Sequence, residues 1–195
     1  SGEVDIHDLE WAGDKLLAVN TLFSCLTIID DNCSFRPKWK PGFVTALAPE
    51  DRCHLNGVAM DGDKPKYVTA LGKSDKAKGW REKMLEGGII MDVESNEVIF
   101  SDLPMPHSPR IYDGDLYMLL SATGEVAKVD TEAGSYDVIQ KLPGFTRGLA
   151  RHGDYLFVGL SKLRNTHTFG DLELAKRKDV ISGIAVLHLA TGALV

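Results

Sequence analysis

The sequence predicts an all-β protein, a β-propeller or part of one, with four recognisable blades of antiparallel strands. Its main signal is a unit that recurs four times, in which a polar residue leads through a Gly-Asp turn into an apolar strand. The four copies start at His7, His54, His107 and Arg147, so the starts are 47, 53 and 40 residues apart. A period of about 40 to 50 residues with several short strands in each unit is typical of propeller blades.

Within the units, short segments alternate apolar and polar residues, or are apolar throughout where both faces of a strand are buried. These segments predict strands at 15–21, 25–29, 66–71, 88–93, 97–101, 116–121, 125–130, 136–140, 155–160 and 183–189. The phrases MDVESNEV, VDTEAGSY and LHLATGAL each predict a turn before an outer strand.

Two segments interrupt this pattern and predict charged loop insertions at 73–87 and 162–182. Such insertions in propellers often cover the mouth of the channel, although a solvated loop without a role is equally compatible with the pattern. Residues 1–195 are predicted to form a single domain, and the fourth unit stops just as an outer strand starts. We therefore expect a fragment of a longer propeller, whose open sheet edges favour self-association.

The composition is that of an ordinary globular protein, with 44% hydrophobic and 26% charged residues. A net charge of −6 with scattered lysines and arginines argues against nucleic-acid binding. No apolar run approaches the roughly 18 residues of a membrane span, and no secretion signal is visible. Three cysteines without a CxxC pair indicate reduced thiols. We therefore expect a cytoplasmic protein that does not bind membranes.

The repeat makes a prediction about function, because equivalent positions of propeller blades converge around one axis. His7, His54, His107 and Arg147 occupy the starts of the four units, so we expect their side chains to meet at one end of the channel. Three interpretations of the histidines remain open: hydrogen bonds between blades, a site for a polar organic ligand, or a metal site in which His7, His54 and His107 hold a divalent transition metal.

Other polar residues near the unit starts are candidates for ligand contacts. Arg110, Arg147 and Arg164 could grip a carboxylate or phosphate bidentately, or pair with acidic residues of neighbouring blades. The candidate ligand-binding set is His7, Asn56, Arg110 and Arg164. In any reaction, His54 or His107 would act as a general base and Arg147 would stabilise developing negative charge.

Several motifs resemble a family of conserved hypothetical bacterial proteins with a domain of unknown function: HDLEW, NTLFSCL, CHLNGVAM, GWRE, MPHSPR, PGFTRGLA and VGLSKLR. The resemblance covers residues 5–195 and implies a propeller fold, with family members that are longer than this chain. The blade pattern is more distantly similar to gluconolactonases, to calcium-dependent phosphotriesterases and to NHL-repeat proteins. In the lactonases Glu, Asn and Asp hold a calcium ion, and no such set can be matched here position by position, so the activity is not implied.

The leading functional prediction is that a small polar or anionic metabolite binds at the mouth of the channel, with hydrolytic or lyase turnover left open. One alternative is a metal-dependent hydrolase or lyase that uses the three histidines. A second alternative is a scaffold for protein interactions, which needs no chemistry in the channel. The sequence does not decide whether the protein is an enzyme.

Overall fold

The structure, a computed structural model, describes residues 3–30, 32–162 and 172–195. In these residues, four antiparallel sheets are arranged as the four blades of a β-propeller, which confirms the predicted fold class. The first blade contains β1 Ile6–Ala12, β2 Lys15–Asn20, β3 Cys25–Asp30 and β4 Cys33–Trp39. The second contains β5 Leu55–Asp61, β6 Lys64–Ala70, β7 Gly88–Asp92 and β8 Val98–Leu103.

The third and fourth blades follow the same order of strands. The third contains β9 Pro106–Tyr112, β10 Asp115–Leu120, β11 Glu125–Asp130 and β12 Ser135–Lys141. The fourth contains β13 Phe145–His152, β14 Tyr155–Ser161 and β15 Gly183–His188. The first strand of each blade contacts that of the next, β1 with β5, β5 with β9 and β9 with β13. These four strands are therefore the innermost strands, which line the channel.

The recurring Gly-Asp pair forms the tight hairpin that joins the first two strands of a blade. Ala12 pairs with Lys15, so the loop consists of Gly13 and Asp14 alone. Gly13 has φ +64°, a left-handed conformation that glycine adopts without a steric penalty. The third blade reverses the order to Asp113-Gly114, and both residues have positive φ there. The repeat detected in the sequence is thus a repeat of one hairpin turn.

Three apolar cores fill the spaces between successive blades, and β10 shows how one strand serves two of them. Leu116, Met118 and Leu120 pack toward the second blade. Tyr117 and Leu119 point to the other face and pack toward the fourth blade. Because side chains alternate between the two faces of a strand, a strand between two neighbours must be apolar at every position.

Buried polar side chains also join each blade to the next at its innermost strand. Each of them donates a hydrogen bond to a backbone carbonyl near the beginning of the following innermost strand. The three bonds are Thr21 Oγ1 to Leu55 O at 2.5 Å, Asn56 Nδ2 to Pro106 O at 3.0 Å and Ser121 Oγ to Thr146 O at 2.6 Å. A buried hydrogen bond of this kind contributes about 1 kcal/mol and fixes the position of the strand that accepts it.

Both insertions pack against the ends of the inner strands. The first contains a 3-10 helix, Gly79–Lys83, and the described part of the second contains a short helix, α1 Glu173–Lys176. Trp80, Leu172 and Leu174 are buried in one apolar cluster with Met105 and Phe145. Since Met105 and Phe145 precede His107 and Arg147 by two residues, Trp80 and the described part of the second insertion lie at the same end of the channel as these side chains.

Helices are a minor part of this fold. Among the described residues, no helix has the length and apolar character needed to cross a membrane.

Candidate functional site

The four residues that start the sequence units lie at the same end of the channel. His7, His107 and Arg147 are near the N-terminal ends of β1, β9 and β13, and His54 directly precedes β5. The rings of His7 and His54 are 4.8 Å apart in an edge-to-face arrangement. The positive charge of Arg147 acts on both His7 and His107. The structure therefore brings together side chains that are far apart in the sequence.

A β-bulge lies at this level in every innermost strand. In β1 the pairing skips His7, and in β5 it skips Asn56. In β9 the irregularity falls between His107 and Arg110, and in β13 between Thr146 and Leu149. Bulges redirect side chains and are frequent next to functional sites. Here the bulges lie in β1, β5, β9 and β13, at or next to the residues of the candidate site.

The register corrects one equivalence that the sequence predicts. His7, His107 and Arg147 each lie six residues before the first residue of their hairpin turn, and in the second blade that position belongs to Asn56. His54 lies two residues earlier. It therefore reaches the site from the segment before β5, where its φ of +52° is a conformation that a non-glycine residue adopts only when its surroundings hold it.

His7 and His107 are neutral at physiological pH. Burial lowers the pKa of His7 to about 4, and the charges of His54 and Arg147 act in the same direction. Burial and then the charge of Arg147 lower the pKa of His107 well below its usual value. An imidazole that is difficult to protonate can still accept a hydrogen bond or a metal ion.

A carboxylate and an indole hold the ring of His54. Its Nδ1 lies 3.1 Å from both carboxylate oxygens of Asp51. The same carboxylate accepts a 2.9 Å hydrogen bond from Nε1 of Trp80, whose ring centroid lies 4.3 Å from that of His54. This chain of contacts fixes the orientation of the imidazole, because Asp51 and Trp80 are both buried.

Arg147 differs from the other candidates that the structure describes in being exposed. Among the residues that the structure describes, none forms a hydrogen bond or ion pair with its guanidinium. Desolvation by its neighbours lowers the pKa of Arg147, and the charges of Asp5 and Asp8 oppose that effect. Solvent therefore reaches Arg147, while neighbouring atoms remove part of its hydration.

Arg110 and Asn56, both predicted as ligand contacts, have partners within the fold. Two nitrogens of Arg110 bind the two carboxylate oxygens of Asp8 at 2.8 Å, and its Nε lies 3.1 Å from Glu10. Asn56 is buried and bonds Pro106, and its Oδ1 accepts a hydrogen bond from Thr69. In this structure both side chains connect blades and leave little capacity for a ligand. The fourth predicted contact, Arg164, lies outside the described residues.

The structure gives no support to the predicted three-histidine metal site. Within the described part of the chain, no group of three or more His, Cys, Asp or Glu side chains is arranged to hold a metal ion. The three imidazoles share one end of the channel, but their nitrogens do not form a metal-binding set.

Sequence reasoning missed Asp51 and Trp80. Asp51 lies three residues before His54, outside the repeated unit, and its role depends on the left-handed backbone at both positions. Trp80 lies in the first charged insertion, outside the repeated unit, and is buried against His54. The sequence carries one signal that His54 differs from the other unit starts. His54 lies eight residues before the glycine of its hairpin turn, whereas His7 lies six residues before the glycine of its own turn.

The geometry defines a β-propeller with a cluster of histidine and arginine side chains at one end of its channel. The chain belongs to the family described as a domain of unknown function (DUF4915), whose profile matches residues 1–195. A search of curated proteins gives no match.

Solved structures with little sequence similarity share the fold. A protein of unknown function from Bacteroides caccae is 14% identical, with a TM-score of 0.60 over 100% of this chain and 61% of that chain. XC5397 from Xanthomonas campestris, described as a gluconolactonase, is 11% identical, with a TM-score of 0.59 over 98% of this chain and 61% of that chain. Hydrazine synthase from Kuenenia stuttgartiensis is 11% identical, with a TM-score of 0.53 over 100% of this chain and 49% of that chain.

These similarities show the propeller fold alone, because at such low identity a shared fold does not carry an activity. The chain spans about half to three fifths of the length of these three structures.

Proposed function

We propose that this protein binds a small anionic metabolite at the mouth of its channel, where Arg147 holds the anion and His7, His54 and His107 surround it. The observation that carries the proposal is Arg147 itself. Arg147 is an exposed residue, its charge acts on the imidazoles of His7 and His107, and its guanidinium has no partner among the described residues. The planar fork of a guanidinium matches the oxygens of a carboxylate or phosphate.

The charge distribution at this end of the channel favours the binding of an anion. The charge of Arg147 lowers the pKa of two neighbouring imidazoles, so its positive potential acts across the site. Asp5 and Asp8 counteract it only through longer-range charge interactions. A positive group that neighbouring atoms partly desolvate attracts small anions more strongly than the same group surrounded by water.

The test is a screen of small carboxylates and phosphates by thermal shift, followed by calorimetric titration of those that raise the melting temperature. Loss of a charge-assisted bidentate contact costs about 1.5 to 3 kcal/mol, so Arg147→Met should weaken binding by about 10-fold or more. Arg151→Met is the matched control, because Arg151 lies on the same strand and pairs with Asp113. Unchanged affinity in Arg147→Met, or a screen without any binding anion, contradicts the proposal.

His54 is the side chain that the geometry favours for proton transfer if the bound metabolite is turned over. Asp51 orients its ring, which is how a carboxylate prepares an imidazole to act as a general base. Asp51→Asn should then lower kcat and leave the affinity for the ligand nearly unchanged. A ligand from the screen that remains chemically unaltered after long incubation with the protein contradicts turnover but not binding.

A further inference from the structure

The proton of the His7 imidazole has a fixed position. Nδ1 of His7 lies 2.8 Å from Thr21 Oγ1, and the hydroxyl of Thr21 donates its only proton to Leu55 O at 2.5 Å. Thr21 can therefore only accept from His7. It follows that Nδ1 of His7 carries the ring proton.

His107 reaches the same state in the third blade. Its Nδ1 lies 3.0 Å from the carbonyl oxygen of Met105, which has no proton to give. It also lies 2.9 Å from Ser121 Oγ, whose proton is donated to Thr146 O at 2.6 Å. Both neighbours are acceptors, so Nδ1 of His107 also carries the ring proton.

The two imidazoles consequently present lone pairs at Nε2. A neutral imidazole that is protonated on Nδ1 has an acceptor on its other nitrogen. Burial and the charge of Arg147 keep the pKa of both rings low, which maintains the neutral form. In the described ranges, neither Nε2 has a hydrogen-bond partner. Both acceptors therefore belong to residues at the end of the channel that also carries the donor fork of Arg147.

We propose that the ligand is a hydroxylated oxyanion, with a carboxylate or phosphate bound to Arg147 and a hydroxyl that donates to Nε2 of His7 or His107. This inference rests on the proposed function and narrows it to a class of metabolite. An anion without a donor would leave the lone pairs unpaired when it displaces water, and a site that forms such hydrogen bonds rejects analogues that lack the group.

A hydroxyl fits this site better than an ammonium group. An ammonium could also donate to Nε2, but the positive potential that disfavours protonation of His7 and His107 would equally disfavour a ligand cation. A neutral hydroxyl donates without this repulsion. The inference therefore excludes zwitterionic amino acids as the preferred class.

The first experiment reads the position of the ring protons without any ligand. Long-range ¹H–¹⁵N NMR spectra of the full chain distinguish a proton on Nδ1 from one on Nε2, and His7→Phe and His107→Phe assign the signals. We expect both histidines in the Nδ1-protonated form at pH 7. A proton on Nε2 of both rings overturns the proposal.

The second experiment compares pairs of anions that differ only in hydroxyl groups. Gluconate is paired with hexanoate, tartrate with succinate, and glycerol 3-phosphate with propyl phosphate, so that the pairs also separate carboxylates from a phosphate. We expect the hydroxylated member of at least one pair to bind about 10-fold or more tightly than its partner. An amino acid of similar size should bind more weakly than that member.

His7→Phe tests the mechanism of this selectivity, because phenylalanine keeps a ring against His54 and removes the acceptor. The preference for the hydroxylated anion should fall to within about threefold in His7→Phe or in His107→Phe, whichever ring accepts the hydroxyl. His152→Phe, which changes an exposed histidine on β13, should leave the preference unchanged, and a preference that survives in both His7→Phe and His107→Phe overturns this inference. Equal binding of both members in every pair overturns this inference, but Arg147-dependent binding of either member still supports the proposed function. If no anion binds, both proposals fail.

Discussion

Arg110 and Arg147 are the same residue type on neighbouring innermost strands, yet they have opposite surroundings. Arg110 pairs with Asp8 and Glu10 of the first blade and donates to the Val58 carbonyl of the second. Burial alone would lower its pKa, but hydrogen bonds and charges from these carboxylates outweigh burial and raise it. Arg147 has no such partner among the described residues, and partial desolvation by neighbouring atoms lowers its pKa.

The position of each residue along its strand explains the difference. Arg110 lies three residues beyond His107 on β9, deeper in the channel, where its side chain is 16% exposed. A charge there must be paired, because water cannot replace the missing partner. Arg147 lies at the open end, where solvent stabilises an unpaired charge. The comparison indicates that the Arg110 guanidinium holds the blades together, whereas the Arg147 guanidinium is the one that a ligand could bind.

The largest expected effect comes from removing the inner charge. Arg110→Met leaves the carboxylate of Asp8 buried without its bidentate partner, and we expect a loss of about 3 to 5 kcal/mol in the free energy of unfolding. Chemical denaturation measures it. In the double variant Asp8→Asn with Arg110→Met, much of the loss should be recovered, because the buried carboxylate of Asp8 is removed together with its partner. A loss below about 1 kcal/mol in Arg110→Met would show that this pair is not structural.

The channel mouth should respond to acid, because His7 is neutral in the fold. Its pKa falls from 6.5 to about 4 on folding, so between these pH values the unfolded chain binds a proton that the folded chain does not. The contribution of the neutral His7 imidazole to the free energy of unfolding is fully present above pH 6.5. It is lost as the pH falls toward 4, by up to about 3 kcal/mol. The low pKa of His107 acts in the same direction.

Denaturation of the protein and of His7→Phe at several pH values isolates this contribution from that of the carboxylates. The unfolding free energy of the protein, taken relative to that of His7→Phe, should fall as the pH is lowered from 6.5 toward 4. A constant difference would mean that His7 titrates alike in both states.

The sequence predicts the blades well because the middle strands are buried on both faces. Residues 116–121 form an apolar run that serves two cores, and the structure places β10 there, over Asp115–Leu120. The innermost strands were not recognised as strands. β1 and β9 line a polar channel and carry the polar residues His7, Asp8, His107 and Arg110. Their sequences therefore lack the apolar alternation by which a half-buried strand is recognised.

The candidate site was predictable as a convergence but not in its details. The hairpin turn fixes the common level of His7, His107 and Arg147, and this turn is visible in the sequence. The bulges, the left-handed backbone of His54 and its contact with Asp51 depend on tertiary packing. The opposite environments of Arg110 and Arg147 follow from their depth, which depends on the register of the strands.

A smaller effect should follow from the hydroxyl that supports His107. Ser121→Ala leaves the buried carbonyl of Thr146 without its donor and removes one acceptor from Nδ1 of His107, which Met105 O still engages. We expect a loss of about 1 to 2 kcal/mol in the free energy of unfolding. Ser135→Ala, which changes an exposed serine on β12 of the same blade, is the control. Equal stability of the two variants would contradict a role for Ser121 in joining the third and fourth blades.

The smallest effect on stability should come from Arg147→Met, because it breaks no hydrogen bond or ion pair among the described residues. We expect the free energy of unfolding to change by less than about 1 kcal/mol. The same variant should raise the pKa of His7 and His107, since it removes a positive charge that disfavours their protonation. NMR titration of the imidazoles measures this change. A strongly destabilised Arg147→Met would remove the contrast with Arg110, because it would show that Arg147 too is held by the fold.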